Sequence, residues 1–151
     1  MVRYFLDTSA LLKRYVVEQS TDYIRRIVVP EAGHVVFIAQ ITPVEIMSAI
    51  ARQRREGVIS DEAASTLRVL IDRHVGREYE VARLSNRITN QAMNLLSLHS
   101  LRAYDAIQLA SALDVNARLV AAGLPPLMFV CADKRLIEAA RKEGLIVEEP
   151  A

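Results

Sequence analysis

The pattern of apolar and polar residues changes repeatedly along this chain, from short apolar runs to helical spacing and back. These changes predict strands and helices in turn. Short apolar or β-branched runs, typical of buried strands, occupy residues 2–6, 34–39, 79–84, 127–132 and 145–147. Helical spacing between capping and breaking residues predicts helices at 10–17, 20–29, 42–57, 60–76, 85–98, 102–122 and 133–143. Strands therefore alternate with helical segments from end to end.

This alternation predicts the fold class. Neighbouring parallel strands need long crossover connections, which helices supply, so we expect a three-layer α/β/α fold around a mainly parallel, five-stranded sheet. The chain has no internal repeat, low-complexity tract or linker-like stretch, so residues 1–151 are expected to form a single domain. A chain of this length can bury a full core without disulfides or a structural metal.

The charge balance excludes one broad class of partner recognition. Nineteen Lys and Arg residues oppose eighteen Asp and Glu, and a net charge of +1 gives no global field toward nucleic acid or an anionic membrane. Any such binding must therefore be local.

The same sequence predicts a cytoplasmic protein without a membrane segment. Cys131 is the only cysteine and cannot form an intrachain disulfide. Asp7 interrupts the first apolar run too early for a signal peptide, and no other apolar run reaches bilayer-spanning length. His34, His74 and His99 lack metal-ligand spacing and are interpreted as structural, as is Cys131 inside an apolar strand.

Two carboxylates, Asp7 and Asp133, directly follow predicted strands from opposite halves of the sequence. In open parallel sheets, ligands bind outside the carboxyl ends of the strands, so the two residues could share one crevice. Each also stands at a helix start, where Asp is a favoured cap. Capping and catalysis therefore both stay open for each residue.

Two further acids lie on predicted helices. Glu45 follows Thr42 by three residues, the spacing of a capping box, but it also belongs to a polar stripe with Ser48 and Arg52. Asp105 lies on a helix that is apolar nearly all round and is expected to be buried. A buried carboxylate costs several kcal/mol unless it has a partner such as Arg102, a polar network or a bound cation.

A shared crevice for these four acids would require a cation. At about 6 Å and an effective dielectric of about 20, each pair of carboxylates repels by roughly 3 kcal/mol. Mg²⁺ or Mn²⁺ would offset this repulsion and could activate water for attack on a phosphodiester. No histidine or cysteine of catalytic type lies near the acids in sequence, which agrees with hydrolysis by carboxylates and metal.

Basic residues near the acids are candidates for RNA phosphate contacts: Arg52, Arg55, Lys134 and Arg135. The alternative is that they form ordinary solvated helix faces. The five tyrosines show no regular spacing that would predict a base-stacking platform.

Four segments, in their order and spacing, resemble the PIN-domain ribonucleases, and among them the VapC-type toxins of toxin-antitoxin pairs. The segments are Phe5–Ala10, Thr42–Glu45, Leu101–Ala110 and Cys131–Asp133. The resemblance implies a PIN-like fold whose acidic site binds Mg²⁺ or Mn²⁺ and hydrolyses single-stranded or loop phosphodiesters in RNA.

The resemblance also assigns roles to residues. By motif, the family's acidic quartet matches Asp7, Glu45, Asp105 and Asp133. Asp7 and Asp105 would be the main metal ligands, Asp133 a direct or water-mediated ligand, and Glu45 a group that supports the ligands or orients water. Thr8 and Ser9 match positions whose hydroxyls support the first Asp. Cys131 departs from the family, where many relatives have Thr or Ser.

Two protein partners are implied. One is an antitoxin whose C-terminal segment occupies the groove and often places an Arg among the acids. The other is a second copy of the chain, for which the apolar helices at 41–50 and 63–75 leave room.

Three functions are carried forward. The first is a metal-dependent endoribonuclease acting as a toxin. The second is a PIN-like module that binds RNA or a partner without cutting. The third is an aspartate-nucleophile phosphohydrolase, which would also begin with an Asp after the first strand. Its usual second Asp is absent, because Ser9 stands at that position.

Overall fold

The computed structural model describes residues 1–151 and contains every predicted strand and helix, with ends that differ by no more than two residues. The strands are β1 (Arg3–Leu6), β2 (Val35–Ala39), β3 (Tyr79–Ala82), β4 (Met128–Val130) and β5 (Ile146–Glu148). The helices are α1 (Thr8–Tyr15), α2 (Thr21–Val28), α3 (Thr42–Arg55), α4 (Asp61–Arg77), α5 (Asn86–Leu98), α6 (Ala103–Ala121) and α7 (Lys134–Lys142). One turn of 3₁₀ helix, Pro30–Ala32, lies in the break after α2.

The five strands form one parallel sheet in the order β3-β2-β1-β4-β5. Phe5 of β1 is paired in register with Phe37 of β2 on one side and Phe129 of β4 on the other. The chain first builds the sheet outward from β1 to β3 and then continues on the other side with β4. The strand order therefore reverses between β1 and β4, where open α/β sheets place their ligands.

Successive side chains of the central strand β1 point to opposite faces of the sheet, which explains the two hydrophobic layers. Phe5 points into a core cluster formed with α5, α6 and α7, whereas Tyr4 and Leu6 point into a cluster formed with the first four helices. Both faces of the sheet are covered, so the predicted α/β/α fold class is confirmed.

Helix α6 is the most deeply packed helix, with eight buried residues. Its burial agrees with its nearly continuous apolar sequence. None of the helices combines the length and the apolar character needed to cross a membrane. Because α6 begins beside the carboxyl ends of the strands, its first turns bring Asp105 and Gln108 to the same place as Asp7.

Candidate active site

A groove of about 610 Å³ opens at the carboxyl ends of the central strands. It brings together all four predicted acids and both predicted supporting hydroxyls, together with Arg52 and Gln108. The predicted acids and hydroxyl residues in the groove are Asp7, Thr8, Ser9, Glu45, Asp105 and Asp133. They come from the β1–α1 connection, α1, α3, α6 and the β4–α7 connection, so the tertiary fold assembles the groove.

Asp7 lies at the bottom of the groove and is only 3% exposed. It caps α1, because its Oδ1 accepts the backbone N–H of Ala10 at 3.0 Å. The Ser9 hydroxyl donates to the same carboxylate, at 2.8 and 2.9 Å from its two oxygens. Burial raises the pKa of Asp7 to about 6, although the bonds from Ser9, Ala10 and Cys131 favour the ionised form. Both oxygens of Asp7 are therefore occupied by protein donors.

Cys131 does more than fill space in the core. Its side chain is fully buried, as predicted, and its thiol donates to Asp7 Oδ2 at 3.3 Å. The sulfur also accepts the backbone N–H of Asp133 at 3.4 Å. Burial, together with the negative charge of Asp7, raises the pKa of the thiol. The thiol therefore links the residues that follow β1 and β4.

The capping-box interpretation of Glu45 is wrong. The cap position of α3 is Ile41, which makes no side-chain capping bond, and Thr42 is already inside the helix. Glu45 Oε1 instead accepts the Thr8 hydroxyl at 2.8 Å. The three residues of the polar stripe, Glu45, Ser48 and Arg52, all line the groove, and Val44 lines it with them. Thr8 thus supports Glu45, whereas Ser9 supports Asp7 as the family motif implies.

Gln108 is a buried amide at the centre of these contacts and was not predicted as a site residue. Its Nε2 lies 2.9 Å from Glu45 Oε1, 3.0 Å from Thr8 Oγ1 and 2.9 Å from Thr42 Oγ1. The opposite amide orientation would set its oxygen against the Glu45 carboxylate, so the observed one is favoured. The sequence did carry a signal, since an amide on a core-facing position of an apolar helix needs a polar partner.

Asp105 is half-buried at the start of α6 and forms no ion pair, although the sequence predicts full burial and Arg102 as one possible partner. Burial raises its pKa first, and the negative charges of Asp133 and Glu45 raise it further. The charge of Arg102 and a backbone contact with that residue lower it and only partly offset these effects. Three carboxylates therefore repel one another in this part of the groove.

Asp133 is exposed and caps α7. Its Oδ1 accepts the backbone N–H groups of Arg135 and Leu136 at 2.9 and 3.2 Å. Its Oδ2 accepts no hydrogen bond within the protein, and neither does Oε2 of Glu45. For both Asp7 and Asp133, capping is thus observed, and capping leaves one oxygen of Asp133 free toward the groove.

The donor chemistry of the groove fits a hard divalent cation. The available groups are carboxylate oxygens, which such ions prefer, and the negative charges of Asp133 and Glu45 act on Asp105, which has no ion pair. The side chains do not form a ready-made cluster of three metal ligands in this structure. The fit therefore rests on the chemistry and the mutual repulsion of the acids.

The predicted basic residues divide into two groups. Arg52 lines the groove, and Arg102 lies there too. Arg55, Lys134 and Arg135 are exposed and do not line it, and Arg135 belongs to a neighbouring depression with His99 and Lys142. Their role as RNA contacts stays a prediction.

The three histidines lie outside the groove and contact the protein itself. His34 accepts the backbone N–H of Val2, His74 bonds the hydroxyl of Tyr15, and His99 pairs with Glu143.

Comparison with known proteins identifies a family. The model of the PIN domain family matches residues 4–142. A comparison with curated protein sequences gives no match.

Solved structures resemble the chain over almost its whole length. FitAcB from Neisseria gonorrhoeae has a TM-score of 0.69 at 13% identity, covering 97% of each chain. VapBC2 from Rickettsia felis, bound to a DNA fragment from its promoter, has a TM-score of 0.64 at 14% identity, covering 98% of each chain. The toxin VapC20 of Mycobacterium tuberculosis, described as cleaving the sarcin-ricin loop, has a TM-score of 0.61 at 15% identity, covering 95% of this chain and 96% of that one. At these identities the likeness shows a shared fold.

Proposed function

This chain belongs to the PIN domain family, and on that premise we propose that it is a metal-dependent endoribonuclease acting as the toxin of a toxin-antitoxin pair. The observation that carries the proposal is Asp105, a half-buried carboxylate without an ion pair whose pKa is raised partly by Asp133 and Glu45. Acids that serve only the fold are normally paired. Like charges held together in an open groove indicate a site that acquires its counter-charge from a ligand.

The cation would be Mg²⁺ or Mn²⁺, held by Asp105 and Asp7 with Asp133 and Glu45 beside them. When bound, such an ion supplies charge neutralisation at the phosphodiester and lowers the pKa of water. Asp7 belongs to this set because a cation would favour the ionised form of a carboxylate whose burial raises its pKa to about 6.

The chain's own residues would orient the reactants. Thr8 and Gln108 hold Oε1 of Glu45, which leaves Oε2 directed to accept a hydrogen bond from water. Ser9 and Cys131 hold Asp7 in one orientation. Arg52 and Arg102 bring positive charge to the groove, where RNA phosphates would contact them. We keep Arg55, Lys134 and Arg135 as more peripheral phosphate contacts.

The partners follow from the family and its structural neighbours. A solved toxin-antitoxin complex from Klebsiella pneumoniae resembles the chain, which supports an antitoxin as partner. VapC20 is described as a toxin that cleaves the sarcin-ricin loop, which supports RNA as substrate. A homodimer is supported by the exposed apolar residue Val69 on α4, whereas the exposed Val44 on α3 lines the groove. A cytoplasmic location is supported by the single cysteine, which is free.

The test is cleavage of total RNA by protein freed of antitoxin. We expect discrete fragments with Mg²⁺ or Mn²⁺, none with EDTA, and a loss of about 100-fold or more in Asp105→Asn, beyond the effect typical of residues that only support ligands. The matched control is Asp72→Asn, since Asp72 is an exposed acid on α4 paired with Arg68. Its cleavage should stay at the wild-type level.

Two results would refute the proposal. One is equal inertness of the wild type and Asp105→Asn toward every RNA class, which would favour a module that binds without cutting. The other is cleavage that survives both EDTA and the Asp105 substitution, which would show that neither a metal nor Asp105 takes part in the cut.

A further inference from the structure

Tyr104 differs from every other aromatic residue of the chain in its exposure. Of the eight Phe and Tyr side chains, seven are buried or half-buried, whereas Tyr104 is 60% exposed. Its hydroxyl makes none of the side-chain hydrogen bonds seen for Tyr15, Tyr23 and Tyr79. The fold therefore gains little from an aromatic ring at this position.

The ring lies in the acidic groove. Tyr104 immediately precedes Asp105 in the first turn of α6, and both residues line the groove. Val44, which is 71% exposed, provides an apolar surface in the same groove. An exposed aromatic ring and an exposed valine thus line the same groove as Asp105, which forms no ion pair.

Two free cations complete the arrangement. Arg52 and Arg102 line the groove, and neither takes part in the ion pairs that occupy the arginines at positions 14, 54, 68, 87, 118 and 141. The groove therefore offers acids, guanidinium groups and one aromatic face within a single depression.

We propose that Tyr104 is a nucleobase-binding site, on which the base next to the scissile phosphate stacks; this inference rests on the proposed ribonuclease function. A nucleotide offers a flat base for the ring and phosphates for the arginines, and its phosphodiester faces the acids. Since a base in a duplex has both faces covered, the site selects RNA whose base is unpaired or unstacked at the cut.

The first experiment locates the base. Short single-stranded RNAs carry 2-aminopurine at successive positions and are bound by wild-type protein in Ca²⁺ buffer. We expect fluorescence quenching at one position beside the cleavage site, present with the wild type and Tyr104→Phe but lost with Tyr104→Leu.

The second experiment measures the contribution to cleavage. We expect Tyr104→Leu to raise KM for RNA by about tenfold or more, the range of one base-aromatic stack, with kcat within about threefold of wild type. Tyr104→Phe should keep the wild-type KM. An RNA that is abasic at the quenched position should be cut equally by the wild type and Tyr104→Leu. Met93→Ala, which truncates an exposed apolar residue on α5 outside the groove, is the control and should change nothing.

Three outcomes would overturn the inference: an unchanged KM in Tyr104→Leu, a loss shared by Tyr104→Phe, or a change confined to self-association or antitoxin binding with RNA kinetics intact. The last would identify the ring as part of a protein interface. These failures are distinct from failure of the proposed function, in which the wild type cuts no RNA. The fluorescence measurement still decides the base site in that case, because it needs no cleavage.

Discussion

The acidic groove and a buried polar network between α1, α4 and β3 differ in how far their charges are compensated within the protein. In the network, Arg14 Nη2 donates to Glu78 Oε1 at 2.8 Å and Arg14 Nη1 to the Tyr79 hydroxyl at 2.6 Å. The Tyr15 hydroxyl bonds His74 Nδ1 at 2.8 Å and also contacts Tyr79. His74 Nε2 lies 3.3 Å from Glu78. Each charged group here has an opposite charge or a hydrogen-bond partner within the protein.

The comparison shows that a perturbed pKa does not by itself identify a functional site. Burial raises the pKa of Tyr15 and Tyr79 and lowers that of His74, yet all three side chains have hydrogen-bond partners within the protein. In the groove the pKa of Asp105 is raised by burial and also by two other acids. Uncompensated like charge, rather than the shift, therefore distinguishes the groove.

The largest effect is expected from a substitution that breaks the buried network. Arg14→Leu leaves Glu78 buried without its cation, and both side chains are mostly buried. We expect the free energy of unfolding to fall by about 2 to 4 kcal/mol, measured by chemical denaturation. The cleavage rate per folded molecule should not change, because the network lies outside the groove.

Arg68→Leu is the matched control for this prediction. It removes an exposed arginine whose pair with Asp72 is more than half exposed on both sides, and we expect a change within about 0.5 kcal/mol. Equal destabilisation by the two substitutions would show that the Arg14 network contributes no more than a surface pair.

The next effect concerns the groove. Gln108→Met keeps the length of the side chain but removes the amide that holds Glu45, Thr8 and Thr42. We expect cleavage to fall by roughly 10- to 100-fold, mostly in kcat, as for other residues that orient a catalytic group. Steady-state kinetics on a defined RNA measure it.

Gln53→Met controls for loss of a partly buried amide. Gln53 and Gln108 each have a side-chain oxygen that is buried without a partner, but only Gln108 lines the groove. Cleavage by Gln53→Met should equal that of the wild type. A matching loss in both variants would show that the Gln108 effect is one of folding and not of positioning.

The smallest effect is a pH dependence of stability. His74 has a lowered pKa, chiefly because burial disfavours its charged form and Arg14 repels it. The unfolded chain therefore binds a proton on this imidazole more readily than the folded chain does. As a result, the free energy of unfolding falls as pH drops below about 6.5, by at most about 1.4 kcal/mol per pH unit.

The difference between wild type and His74→Gln isolates this slope. Asp7 has the opposite effect on the pH dependence of stability. Its pKa is raised to about 6 in the folded chain, so between that pH and the ordinary pKa of Asp the folded chain binds the proton more tightly than the unfolded chain. Denaturation curves at several pH values for both proteins should differ in slope below pH 6.5. Parallel curves would contradict the prediction.

The strands and helices were predictable because each depends on nearby residues. β4 and the cap of α7 follow from an apolar run ending in Asp133, and every strand and helix lies within two residues of its predicted position. The parallel sheet follows from the alternation of these elements, since parallel neighbours need helical crossovers. The four acids of the groove were likewise found from their positions at strand ends and helix faces.

The partners of those acids were not predictable, because they are distant in the chain. Local spacing favoured Thr42 as the partner of Glu45, but Thr8 and Gln108, separated from it by 37 and 63 positions, bind it instead. The contact between Cys131 and Asp7 spans 124 positions. Sequence alone thus determined which elements form and which acids stand at their ends, since these depend on propensity and periodicity. Only the tertiary structure decided which charges are compensated, because compensation depends on distances between residues that folding brings together.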